Sequence, residues 1–206
     1  MTGILVRDAS AIEQVTRRFE SSIESTTRFF ERNVDAISVT SLEMARRFEL
    51  GGRLLVFGRG AAATDAQHVA VEFIHPVIVG KRALPSIALT SDVASVTASS
   101  VGGGFRAILS TLAREEDIAF GIFGAPADQT VTEALAFAKN KKLLTVSIGP
   151  ARGGEPAGSP APNDYRVPST DPLVVQEVSE TFYHVLWELV HLFLEHRPAG
   201  SPGPNS

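Results

Sequence analysis

The sequence predicts an α/β fold, a three-layer α-β-α sandwich around a central, mostly parallel five-stranded sheet, preceded by a long N-terminal helix. Three observations carry this reading. Short continuous apolar runs recur along the chain, stretches of helical periodicity separate them, and a long amphipathic stretch precedes the first run. Strands that alternate with helices need crossover connections, and these cover both faces of a parallel sheet.

From Ala9 to about Asn33, apolar residues fall at helical spacing (Ile12, Val15, Phe19, Ile23, Phe29) with charges between them, as in a long amphipathic helix. A second helix is expected from Val34 to Leu50, ending at Gly51 and Gly52, where the chain can turn left-handed. "RLLVF" (53–57) is bounded by glycines and reads as a strand buried on both faces. "SIALT" (86–90), "DIAFGIF" (117–123) and "LLTVSIG" (143–149) read the same way, and "DYRVP" (164–168) is a short edge strand. "DQTVTEALAFAKNKK" is helical, with Asp128 placed to cap a helix that begins near Gln129. The last helix has Ser169 or Thr170 as candidate cap and Pro172 in its first turn. Its apolar stripe runs through Val175, Val178, Phe182, Val185, Leu189 and Phe193. The Gly/Pro-rich stretch at 149–164 reads as a mobile surface loop and 197–206 as a disordered tail. Residues 1–196 therefore form a single domain with an N-terminal helical extension.

A chain of 206 residues that is 44% apolar can bury one substantial core. A net charge of −4 and a pI near 5.7 argue against direct nucleic-acid binding, which needs a basic surface. The absence of cysteine excludes thiolate nucleophiles and Cys-type zinc sites, so a metal must be held by nitrogen and oxygen. "MTGILVRDASAIEQ" meets acidic residues too early for a signal peptide, and no apolar run approaches the roughly 20 residues of a membrane span. A cytoplasmic protein with no membrane partner is the expectation.

In an open parallel sheet, ligands gather beyond the carboxyl ends of the strands. Two turns lie there. In "GRGAAATDAQH", Gly58 and Gly60 permit a tight turn and close ligand approach, without the spacing of a dinucleotide or phosphate-loop signature. In "IFGAPADQTV", the Asp128 carboxylate takes the place a bound phosphate would want. Its charge would also repel a phosphate, given about 4 kcal/mol between unit charges 4 Å apart at an effective dielectric of 20.

His68 and Glu72, four residues apart, share one helix face, as a metal pair or a base with its orienter requires. An ordinary surface pair has the same spacing. Gln176, Glu180 and His184 form a second polar line on the last helix. His75, His191 and His196 read as structural or solvated. Arg59 has three readings, a ligand contact, a surface role or a salt bridge to Asp65 or Glu72. Asp92 also has two, of which capping the next helix outweighs ligand contact.

Taken in order and spacing, "LLVFGRGAAATDAQHVAVEF", "SIALTSDVASVTA" and "VVQEVSETFYHVLWELVHLFLE" resemble the sugar isomerase (SIS) domain family over residues 10 to 195. The likeness is greatest to its phosphoheptose isomerase branch and to a non-enzymatic relative that associates with the replication initiator. It implies a SIS, flavodoxin-like fold. Family members carry Asp, His and Glu after a Gly-rich turn, matched by Asp65, His68 and Glu72, and a Gln and a His on the last helix, matched by Gln176 and His184. The resemblance implies two roles that compete for the same side chains: Zn2+ on His68, Glu72, Gln176 and His184, and Glu72 and His184 as the acid-base pair of an aldose-ketose isomerase. It further implies a homotetramer or dimer built through the N-terminal helix, with a site that spans subunits or stays within one.

The phosphate-binding turn departs from the family's pattern. Its hydroxyl-rich loop is matched by Phe123, Gly124, Ala125, Pro126, Ala127 and Asp128, the serine of the first turn by Ala62, and a further pocket stretch only by "SVGGGF" (100–105). These departures argue against phosphate recognition at that turn. The expected ligand is a sugar or sugar-like molecule, with Arg59, Gly60, Asp65, Asp92 and Asp128 as candidate contacts. The alternative is a non-catalytic metal-binding or assembly protein with a protein partner.

Overall fold

The computed structural model describes residues 9–92, 104–151 and 163–196. The expected tail and most of the Gly/Pro-rich loop lie outside these residues.

Helix α1 (Ala9–Glu49) is one continuous helix of 41 residues, about 60 Å long, where the sequence reading divides it at Asn33 and Val34. The reason for continuity is local. No glycine or proline interrupts residues 9–50, and the Asn33 amide turns back to donate to the Phe29 carbonyl (2.7 Å), so it does not end the helix. The helix stops where expected. Gly51 takes φ +84°, its N–H donates to Phe48 O (3.1 Å), and the Gly52 N–H donates to Arg47 O (2.9 Å), the paired bonds that close a helix C-terminus. At Gly52 a Cβ would lie 2.1 Å from the Glu116 carbonyl oxygen. Gly52→Ala is expected to lower the unfolding free energy by about 1–3 kcal/mol through that overlap. A urea denaturation midpoint equal to that of the parent would contradict it.

Five strands follow, β1 (Leu54–Gly58), β2 (Ser86–Ala88), β3 (Ile118–Ile122), β4 (Leu144–Pro150) and β5 (Asp164–Val167), in the order β2-β1-β3-β4-β5 with every pair parallel. The sheet is thus wholly parallel. β1 and β3 are buried at all five positions, which accounts for their unbroken apolar sequences. β2, at an edge, keeps only three residues of the run that announced it.

Helices α2 (Ala61–Ile74) and α5 (Pro172–Glu195) join α1 on one face, and α3 (Phe105–Leu112) and α4 (Gln129–Asn140) cover the other. The core divides accordingly. Phe29, Phe73, Phe120 and Phe182 fill the first layer, and Phe57, Phe105, Phe123 and Leu109 fill the second. The stripe Ile12, Val15, Phe19 and Ile23 on α1 is exposed.

Two caps fix the helices nearest the site. Asp128 accepts from Thr130 N (2.9 Å) and Val131 N (3.1 Å), as its position predicts. The cap of α5 is Asp171, not Ser169 or Thr170. Pro172 occupies the first helical position, so the residue before it must be the cap, and Asp171 accepts from Leu173 N (2.9 Å). Ser169 serves one step upstream by accepting the Asp171 N–H (3.2 Å). Arg18 of α1 pairs with Asp171 (2.6 Å) and Glu177 (3.1 Å), which ties the start of α5 to the long helix.

Candidate functional site

Strand order reverses between β1 and β3, because β1 leads outward to β2 while β3 leads the other way to β4 and β5. The crevice beyond that reversal is where a doubly wound sheet exposes its loops to a ligand. A cavity of about 170 Å3 lies there, walled by the first turn of α2 (Ala61, Ala62), the turn after β3 (Phe123, Gly124, Pro126) and the start of α5. Gly60 precedes α2 with φ +60° and caps it without a side-chain hydrogen bond.

Asp65 of α2 and Gln176 of α5 also line the cavity and bond across it, the Gln176 amide donating to Asp65 Oδ1 (2.9 Å). Burial, above all, raises the Asp65 carboxyl above its usual range, the Gln176 bond opposes this, the Glu180 charge adds to it and His68 offsets it.

One turn further along both helices lies a cluster of imidazoles and carboxylates. His68 Nε2 is 3.2 Å from Glu72 Oε1, its Nδ1 is 2.9 Å from the Tyr183 hydroxyl and 3.7 Å from Glu180 Oε1. The His184 ring stands 5.5 Å from the His68 ring, centroid to centroid, at 75°. One ligand atom each of His68, Glu72 and His184 lies within 4.8 Å of the others. Zinc bonds of about 2.0–2.1 Å in a tetrahedron hold ligand atoms about 3.4 Å apart, so small side-chain rotations close the set. Two imidazole nitrogens and a carboxylate are a donor set for zinc, and exposed His184 leaves the position open to solvent. Asp65, Glu72 and Glu180 make no ion pair with Lys or Arg among the described residues, so the field favours a cation.

The structure brings His68, Glu72 and His184 together and holds the Gln176 amide against Asp65 in the cavity wall. Arg59 is exposed, with its guanidinium donating to Thr130 Oγ1 (3.3 Å). It makes no ion pair with Asp65 or Glu72 among the described residues, which corrects the salt-bridge reading and fits the surface role. Asp128 is bound into the α4 cap. Asp92 is exposed at the end of a described stretch, and the helix it was expected to cap lies outside the described residues. His191 is buried between the Trp187 carbonyl (2.8 Å) and the Arg82 carbonyl (3.0 Å). His196 lies at the end of α5 beside the Leu192 carbonyl (2.9 Å). His75 is the exposed residue that ends α2.

Sequence reasoning missed Tyr183. It stands seven residues after Gln176, on nearly the same helix face, and that spacing is the signal that could have found it. Burial, first, and the charges of Glu180, Asp65 and Glu72 hold its phenol well above the ordinary range, so the hydroxyl keeps its proton.

Comparison with known proteins identifies the family. The chain is 31% identical over 191 residues to the phosphoheptose isomerase of Thermodesulfovibrio yellowstonii, covering 91% of this chain and 94% of that one. It is 33% identical over 169 residues to that of Nitratidesulfovibrio vulgaris, covering 79% of each. Among solved structures, a phosphoheptose isomerase from Francisella tularensis superposes with a TM-score of 0.75 at 26% identity, covering 88% of this chain and 98% of the other. No helix among the described residues is long and apolar enough to cross a membrane. With the SIS domain model matching residues 18–149, a sheet of the same kind and relatives aligned over most of their length, the chain belongs to the SIS domain family.

Proposed function

We propose that this chain is a metal-dependent aldose-ketose isomerase acting on a sugar or sugar derivative, with a divalent ion, zinc, on His68, Glu72 and His184 and with Gln176 at its side. The observation that carries the reading is the convergence of donor atoms of His68, Glu72 and His184 from α2 and α5, the two helices whose Asp65 and Gln176 line the crevice cavity. Interconversion of an aldose and a ketose moves a proton from one carbon to its neighbour and another proton between the two attached oxygens. Glu72 is the base that removes and returns the carbon-bound proton, and its low exposure (14%) keeps the carboxylate from bulk water. His184 is the group that passes the proton between the oxygens, and Asp65 and Gln176 orient the ligand's hydroxyls from the cavity wall. A bound zinc ion supplies Lewis-acid polarisation of the carbonyl.

The relatives act, by their names, on a phosphorylated heptose. In this chain the Asp128 carboxylate already occupies the N–H groups of Thr130 and Val131, and the cavity wall there is Phe123, Gly124 and Pro126. These features support a ligand without a phosphate at that end. The exposed stripe on α1 supports self-association as a dimer or tetramer. A second reading, a non-catalytic metal-binding or assembly protein, draws on the same stripe and the same turn.

Zinc content of protein purified from metal-replete medium, followed by calorimetry with a phosphosugar and its unphosphorylated counterpart, tests the reading. The expected outcome is bound zinc and preference for the unphosphorylated sugar, with solvent deuterium entering the carbon beside the carbonyl. Tight phosphosugar binding would refute the role given to Asp128. Zinc binding without deuterium incorporation would favour the second reading.

A further inference from the structure

We infer that Tyr183 is a positioning residue of the metal centre: its hydroxyl holds His68 through Nδ1 so that Nε2 is the ligating atom. The inference rests on the metal reading above.

Both ring nitrogens of His68 are engaged. Nε2 faces Glu72 Oε1, a carboxylate of the converging donor set, at 3.2 Å, while Nδ1 faces the Tyr183 oxygen at 2.9 Å. A metal-bound imidazole carries its remaining proton on the other nitrogen and needs an acceptor for it. Two groups stand near Nδ1. Glu180 Oε1, at 3.7 Å, is beyond hydrogen-bond range, so the phenol oxygen is the partner.

A hydroxyl suits this place better than a carboxylate because it works in both directions. With an ion on Nε2, the phenol oxygen accepts the Nδ1–H. With no ion, Nε2 carries the proton towards Glu72 and the phenol O–H donates to Nδ1. The ring keeps one orientation in both cases, so the ligand waits in place. Tyr183 is itself fixed, since it is buried at 1% exposure in the core shared by α1, α2 and α5, and its ring meets that of His68 edge-on at 5.3 Å. A core aromatic whose polar tip reaches His68 thus serves packing and ligand geometry together.

Tyr183→Phe keeps the ring and removes the hydroxyl. Its zinc dissociation constant, measured by chelator competition on the full chain, is expected to rise 10- to 100-fold, the usual cost of losing a partner behind a metal-bound histidine. Tyr165→Phe removes another buried hydroxyl, bonded to Thr40 and not to His68, and is expected to leave zinc affinity unchanged. Side-chain 15N NMR of the zinc-loaded parent should show His68 protonated at Nδ1 and metal-bound at Nε2. Equal zinc affinity for the parent and a cooperatively folded Tyr183→Phe, or ligation through Nδ1, would overturn the inference while leaving the metal reading intact. A parent chain that does not bind zinc would overturn both.

Discussion

His184→Ala is expected to weaken zinc binding by well over a hundredfold and to remove most of the stabilisation that zinc confers on the folded chain. Losing a partner behind a ligand already costs about 10- to 100-fold, and His184 is one of three side chains whose donor atoms converge. An ion that binds only the folded state stabilises it by about 4.1 kcal/mol at a thousand times its dissociation constant. For a domain of this size that is a rise in melting temperature of roughly 8–16 °C. A hundredfold loss of affinity at the same zinc concentration leaves about 1.4 kcal/mol. Differential scanning fluorimetry with and without zinc reads the difference directly. Equal shifts for the parent and the variant would remove His184 from the site. Glu72→Gln is expected in the same way to lower deuterium exchange into the substrate carbon by roughly 10²- to 10⁴-fold, because an amide cannot take the proton.

Asp117→Ala is expected to destabilise the fold by about 3 kcal/mol, towards the lower end of the range for breaking a buried ion pair, since Arg53 is 23% exposed. Asp117, at 1% exposure, accepts from Arg53 N (2.8 Å), Arg114 N (2.9 Å) and the Arg53 guanidinium (2.8 Å), and so ties the start of β1 to the start of β3. These strands carry at their other ends the turns that wall the cavity. Burial is the largest influence on this carboxyl and would raise it, but the Arg53 bond and the two backbone N–H groups prevail, and it titrates below the ordinary range. A carboxylate lowered in the folded state adds stability above its unfolded pKa of about 3.9 and loses it as pH falls through the folded value. The stability difference between the parent and Asp117→Asn should therefore be full at neutral pH and shrink below about pH 4. Urea titrations at a series of pH values check this, and a difference that is constant into acid would show that the carboxylate charge is not what stabilises this corner.

The fold was legible where burial decides the sequence. Leu54–Phe57 and Ile118–Ile122 are apolar throughout because helices cover both faces, and no surface requirement interrupts them. Edges were less legible, because β2 shares one side with solvent and its run overstates its length. The break placed at Asn33 failed because a side chain that often stops helices bonded backwards into this one. Three consecutive cap formers precede Pro172, and only the proline selects among them.

The site was legible in part for a different reason. His68 and Glu72 share one helix, so spacing alone puts them together. That His184 meets them from 112 or more residues away came from the family likeness, since no local rule fixes how α5 crosses α2. Tyr183 escaped because an aromatic next to a core phenylalanine reads as packing, and its bond to His68 depends on the same crossing. Of the readings of Arg59, a surface position is the one the structure shows, with Thr130 at the start of α4 as its acceptor.

The central claim is that α2 and α5 gather two imidazoles and a carboxylate around one ion. Anomalous diffraction at the zinc edge from crystals of the zinc-loaded chain tests it most directly. The account predicts a peak about 2.0–2.2 Å from His68 Nε2, from a Glu72 oxygen and from a His184 nitrogen. Zinc-loaded crystals with no peak there, or with either imidazole turned away from the ion, would contradict it.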